Sequence, residues 1–242
     1  MKYNELQYER IDVEKRRNSM NECLEKFSNA ESVDDQINAI LYVNEQNKEY
    51  HSYAAMASLN FSRDINDENA KAEKDYYDSI GPDMIEIGDS FEKAVDQSKY
   101  KDELSKKWGI KFLTDIETSL KTFDPKIKGM LKEETNLRNE YTKLTAGAKI
   151  TYDGKEFNLA GLGPFHSAED RTVRKASYEA RFNWFSDNSE ALDDIYDKLV
   201  KLRHKIATTL GYDNFIELGY MRMGRSDSVS YTHLTLPTRL PV

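Results

Sequence analysis

From Val33 to Asp64 the chain runs without a glycine or a proline, and Ile37, Ile40, Leu41, Met56, Leu59 and Phe61 recur at helical spacing. A stretch of that length and period predicts a long helix with one face toward a core. A second long segment begins near Asn66, and Gly81-Pro82 is expected to kink or break it, because proline removes a donor and disfavours helical geometry in the residue before it. After Trp108-Gly109 an amphipathic stretch carries Ile110, Leu113, Ile116 and Leu120; Phe123-Asp124-Pro125 ends it and starts the next. The chain therefore reads as all-α, built from stacked long helical hairpins. Its 38% apolar and 32% charged residues suit helices with broad solvated faces.

One β-hairpin interrupts this pattern near residues 149–158. Asp153-Gly154 matches a two-residue hairpin turn, which pairs Tyr152 with Lys155 and Ile150 with Phe157. That register puts Ile150, Tyr152 and Phe157 on an apolar face, which must pack on other elements because a lone hairpin is marginal in water. Farther on, Ser167-Ala-Glu-Asp170 has the form of a capping box and places a helix start near Ala168, with Val173, Ala176, Ala180 and Trp184 along it. The next helix carries Leu192, Ile195, Tyr196, Leu199, Leu202, Ile206 and Leu210 and stops at Gly211, and the two are expected to pair antiparallel. Asn214 and Glu217 repeat the cap pattern and open a short helix toward Gly224.

No catalytic constellation emerges from the residues. Zinc-dependent peptide hydrolysis needs two histidines one helical turn apart, a glutamate beside the first and a third ligand, compactly His-Glu-x-x-His. The histidines are His51, His166, His204 and His233, and none has the required neighbours. We assign no catalytic residue and no metal ligand in this chain. Cys23 is the only cysteine, which excludes an intramolecular disulfide and suits a half-buried helical thiol. Gly161-Leu-Gly163-Pro164 lacks the lysine and hydroxyl residue of a phosphate loop and reads as a turn, while Arg171, Arg174 and Lys175 suit surface ion pairs. A net charge of -8 argues against unassisted binding to nucleic acid or to an anionic membrane, and no apolar run approaches membrane-spanning length.

Two stretches carry a resemblance. The first runs from Met130-Leu-Lys-Glu-Glu-Thr to Gly163-Pro164-Phe165 and includes Tyr141-Thr-Lys-Leu-Thr-Ala-Gly-Ala-Lys-Ile150 and Asn158-Leu-Ala-Gly-Leu162; the second runs from Ile195-Tyr-Asp-Lys-Leu-Val to Arg225-Ser-Asp227 and contains Gly219-Tyr-Met-Arg-Met-Gly-Arg225. Together they resemble the amino-terminal portion of an oligoendopeptidase F, a zinc metallopeptidase of the thimet oligopeptidase superfamily. The resemblance implies a whole enzyme that binds zinc and cleaves internal bonds of short peptides, with this helical lobe walling a cleft that excludes folded proteins; a cytoplasmic location is expected because the first ten residues alternate in charge and carry no apolar signal-peptide core. It further implies an amino-terminal helical region over 1–108, an oligoendopeptidase F amino-terminal domain with the hairpin over 109–181, and the truncated start of the catalytic domain over 182–227. Zinc would then be held by the carboxy-terminal catalytic lobe, with no cofactor expected for this chain, which would be inactive alone. Arg222, Arg225 and Tyr220 are the candidates for the substrate cleft: the arginines are expected three apart on one face of the last helix, where a guanidinium suits a peptide carboxylate or carbonyl. An interhelical salt bridge to the catalytic lobe is the competing role.

Residues 228–242 break the composition, with Arg239 as the only formally charged residue and two of the five prolines. Val229-Ser-Tyr-Thr-His-Leu-Thr-Leu-Pro-Thr238 resembles an in-frame translation of a transposase adapter used in sequencing libraries, so a non-native tail is expected there, with a native proline-containing tail as the competing reading. The alternative for the whole chain is a free-standing helical protein-interaction module, since the same apolar stripes serve a core, a partner groove or a further lobe.

Overall fold

The computed structural model describes residues 7–225, so the expectations for 228–242 and for His233 lie outside the described residues. Within them the chain forms ten α-helices and one two-stranded sheet. It divides into two compact units.

One unit comprises Glu9–Ser52, Ile80–Lys128 and the stretch from His204. Helix α1 (Val13–Ser28) starts where the Asp12 carboxylate accepts from the Lys15 amide at 3.0 Å. Helix α2 (Val33–Arg63) starts at Ser32, whose hydroxyl accepts from the Asp35 amide and donates to the Asp35 carboxylate. The long helix is present, but Leu41 and Leu59 are nearly half exposed, while Ile40, Met56 and Phe61 turn inward. Met20, Cys23 and Phe27 of α1 meet Ile40 and Val43 of α2, together with Ile87, Phe91 and Val95 of α3 (Glu68–Asp96) and Leu104 of α4 (Lys101–Trp108). The Cys23 thiol is buried, donates to the Ala39 carbonyl, and is pushed up by burial.

Helix α3 runs unbroken through Pro82, against the expected interruption. An interior proline costs about 3 kcal/mol. Ile80, Ile87, Phe91 and Val95 are buried on either side of it, and each large side chain contributes roughly 1.5–3 kcal/mol, so packing outweighs the lost hydrogen bond. Lys128 adds ion pairs at 2.7 Å to both Asp83 and Glu86, just beyond the proline. One turn farther on, Asp89 is buried with Oδ2 on Lys93 and Oδ1 without a partner. Neighbouring Glu92 has its carboxyl pushed up by burial, a shift that a hydrogen bond with Ser119 of α5 (Ile110–Leu120) opposes and the Asp89 charge reinforces. The native state thus holds a Glu92 proton that the unfolded chain releases at lower pH, and stability falls as pH rises from the ordinary glutamate value through the raised one. Glu92→Gln is expected to raise the urea midpoint at pH 7, with the gain disappearing below the ordinary glutamate pKa; an equal gain at both pH values would contradict this origin.

Phe123 is buried, Asp124 caps a 3-10 turn at Pro125–Ile127, and α6 (Lys128–Ala146) follows, as the proline spacing implies.

The other unit comprises Tyr53–Ser79 and Gly129–Arg203, with Tyr8 added. Strands β1 (Ile150–Tyr152) and β2 (Lys155–Phe157) pair antiparallel in the expected register, Ile150 with Phe157 and Tyr152 with Lys155. Asp153 and Gly154 both take positive φ, 50° and 71°, the geometry of a type I′ turn. The apolar face does pack: Phe165 lies against Tyr152 and Phe157 at 4.9 and 5.3 Å between ring centroids, and the Tyr152 hydroxyl donates to the Val173 carbonyl.

Phe165 belongs to the short helix α7 (Gly163–His166), and α8 (Arg171–Asp187) begins later than the capping box suggests. Ser167 closes α7, and Asp170 is the residue that caps α8, accepting from the Thr172 amide at 2.7 Å. The intervening carbonyls of Ala168 and Glu169 accept from the Arg174 guanidinium, so this arginine holds the loop and is not spent in a surface ion pair. Asp170→Ala is expected to destabilise the fold by about 1 kcal/mol, whereas Ser167→Ala is expected to change it by a few tenths at most. Urea titrations showing the larger loss for Ser167→Ala would restore the capping-box reading.

Candidate functional site

The segment that carries Tyr220, Arg222 and Arg225 is fixed at both ends by glycine. Helix α9 (Ser189–Thr209) terminates at Gly211, whose φ of 93° lets the Tyr212 amide reach the Ala207 carbonyl at 3.0 Å and the Gly211 amide reach that of Thr208 at 3.1 Å. Tyr212 then anchors the turn by donating its hydroxyl to the Lys121 carbonyl beyond α5, and its phenol is pushed up by burial and by the Glu217 charge. Asn214 caps α10 (Phe215–Arg222), accepting from the Ile216 amide at 2.9 Å, and Leu218 is the residue this helix buries completely. Gly224, at φ 65°, repeats the ending: the Arg225 amide donates to the Tyr220 carbonyl at 3.0 Å and the Gly224 amide to that of Met221 at 2.9 Å.

Arg225 therefore lies past the helix end, and the two arginines are not three apart along one helical face. Each guanidinium is held instead over an aromatic ring. Arg222 sits 5.8 Å from the Phe215 ring centre, and Arg225 sits 5.9 Å from that of Tyr220. Gly219 makes room for the first of these pairs, because a Cβ there would meet the Phe215 ring at 3.2 Å. Phe215, Gly219 and Arg222 are spaced i, i+4, i+7, a signal present in the sequence that attention to the arginines alone overlooks. Both arginines are exposed and Tyr220 is half-buried. Exposed, ring-supported guanidiniums can present planar donors to a carboxylate or a carbonyl.

The remaining titratable candidates do not converge. His51 and His204 are exposed, and His166 stacks on Tyr178 at 4.2 Å with its Nε2 buried and unpartnered. Among the described residues no group of three or more His, Cys, Asp or Glu side chains could hold a metal ion. The chain's described residues thus do not fit the zinc that the family resemblance implies. A concavity of about 670 Å³ lies between α1 and α2, lined by residues including Glu22, Cys23, Lys26 and Tyr42. Another, of about 790 Å³, lies in the hairpin's unit and is lined by Arg63, Ile65, Lys149, Glu156 and Phe157 among others. Neither is lined by Tyr220, Arg222 or Arg225.

The pattern that defines the peptidase M3 N-terminal domain matches residues 3–123. The chain belongs to the peptidase M3 N-terminal domain family. Among solved structures, this M3 chain is similar to one assigned as oligoendopeptidase F, with 39% identity, a TM-score of 0.90 and coverage of 95% of this chain and 41% of that one. It is similar to PZ peptidase A with an inhibitor, at 38% identity and TM-score 0.89, over 95% of this chain and 41% of that one. A structure assigned as oligoendopeptidase F from Bacillus anthracis strain Ames shares 35% identity at TM-score 0.89, over 95% of this chain and 42% of that one. The M3 chain therefore spans about two-fifths of the length of these structures. No curated protein matches it. No helix among the described residues is long and apolar enough to cross a membrane.

Proposed function

We propose that this chain is the amino-terminal lobe of a cytoplasmic, zinc-dependent oligoendopeptidase that hydrolyses internal bonds of short peptides, and that it is inactive alone. The observation that carries this reading is the 39% identity and TM-score of 0.90 over 95% of the chain, against 41% coverage of the similar structure. A helical lobe that is matched nearly throughout, and whose described residues hold no group of three or more metal-ligating side chains, is suited to shaping a cleft whose chemistry resides in a carboxy-terminal catalytic lobe. In this reading residues 182–227 begin the catalytic domain, and 109–181, with the hairpin, form the wall before it. Arg222 and Arg225, steadied by Phe215 and Tyr220, bind substrate carboxylate or carbonyl groups.

The test is to read the source locus beyond the Asp227 codon from an independent library and to express the whole frame. The expected frame continues with a charged amphipathic helix in place of Ser228-Val-Ser-Tyr and later contains His-Glu-x-x-His on a helix followed by a glutamate ligand. A stop codon after Val242 in independent reads, with no zinc motif downstream, would leave the helical interaction module as the better account.

A further inference from the structure

Helix α8 has the length of a core helix, yet Ser177 is its one fully buried side chain. Its aromatic residues form a row along another face. The His166 ring stacks on Tyr178 at 4.2 Å, Tyr178 on Phe182 at 6.3 Å, and Phe182 leads to Phe185 at 6.5 Å. Tyr178, Phe182 and Phe185 are spaced i, i+4, i+7, the stripe that packs one helix on another. Two of its three rings face outward all the same, Tyr178 at 45% exposed and Phe182 at 59%, while Phe185 is half-buried with the Arg181 guanidinium 5.6 Å from its ring centre. At its head, His166 Nε2 is buried without a partner.

The position of this face in the chain indicates what covers it. Six of the thirteen exposed large hydrophobic side chains among the described residues fall between Tyr178 and Met223, a stretch that makes up only about a fifth of those residues. Exposed apolar surface is thus concentrated in the carboxy-terminal part of a chain whose residues 3–123 match a peptidase M3 N-terminal domain and which covers 41% of a similar structure. We propose that the Tyr178–Phe182–Phe185 row is a docking face for an apolar surface of the carboxy-terminal lobe. This rests on the reading of the chain as the amino-terminal lobe of a longer peptidase.

Thiol labelling tests it, because the native Cys23 is buried and bonded to the Ala39 carbonyl and so gives a slow background. Phe182→Cys replaces an exposed side chain, and Asn183→Cys supplies a solvent-facing control on the same helix. With maleimide as the probe, Phe182→Cys is expected to label rapidly in the 242-residue chain. In the protein expressed from the continued frame it is expected to label at least about tenfold more slowly, with Asn183→Cys equally fast in both. Tyr178→Cys repeats the measurement should the first variant fold poorly. A zinc-dependent, active long protein whose Phe182→Cys labels as fast as in the short chain overturns the docking face while leaving the proposed function standing. Protection in the short chain that grows with its concentration assigns the face to a second copy and overturns it as well. A locus without a continuation removes both proposals together.

Discussion

Protein expressed from the continued frame is expected to cleave an unstructured fluorogenic peptide in a chelator-sensitive manner, whereas the 242-residue chain is expected to show no turnover above background. The difference is the largest effect predicted for this protein, because enzymes typically accelerate their reactions by at least about a millionfold. Metal-assisted hydrolysis draws on a Lewis acid that polarises the carbonyl and lowers the pKa of bound water, with protein ligands leaving one position open. Among the described residues no group of three or more His, Cys, Asp or Glu side chains could supply those ligands, and His51, His166 and His204 belong to no such group. Metal analysis after dialysis provides the parallel readout, with zinc retained by the long protein and lost by the short one. Chelator-sensitive cleavage by the short chain, surviving purification controls, would defeat the fragment reading and require an unconventional site.

The sequence alone made the hairpin legible down to its register, because Asp153-Gly154 admits a two-residue turn and that turn fixes every pair after it. Helix ends marked by a positive-φ glycine, such as Gly211 and Gly224, were legible for a similar reason: the backbone there takes a conformation few other residues tolerate. Local rules failed where tertiary contacts outweighed them. Proline-82 chemistry predicts a break, yet the buried side chains of α3 on both sides hold the helix through it. Ser167 has the form of a cap, yet α7 uses it as a terminus and Arg174 secures the carbonyls that follow.

The candidate site was legible in part. Tyr220, Arg222 and Arg225 were visible as a motif, but their geometry depends on Gly224 turning the chain and on Gly219 admitting the Phe215 ring. Helical periodicity names a set of residues for a face without stating which face is covered. On α8 it favoured Val173, Ala176, Ala180 and Trp184, although Ala176 is exposed and the stacked row runs through Tyr178 and Phe182.

Phe27→Ala is expected to produce the largest loss of stability among single core substitutions in the unit that contains α1, about 3–5 kcal/mol. Phe27 is 1% exposed and meets Phe91 edge to face at 5.1 Å, within the cluster formed by Met20, Cys23, Ile40, Ile87 and Leu104. Its removal costs the transfer free energy of the ring and leaves a cavity bounded by α1, α2 and α3. Relaxation is limited there, since the Gln36 amide donates to the Phe27 carbonyl at 3.2 Å and Ser98 in turn donates to Gln36, fixing the backbone around the ring. Phe27→Leu keeps much of the volume and is expected to lose less than half as much. Urea denaturation followed by circular dichroism measures both. Because the chain forms two compact units, the loss is expected in the transition of the unit that holds Phe27, while the other transition keeps its midpoint if the units unfold separately. A loss below about 1 kcal/mol for Phe27→Ala, an effect within the range of ordinary surface changes, would show that this ring does not organise the core.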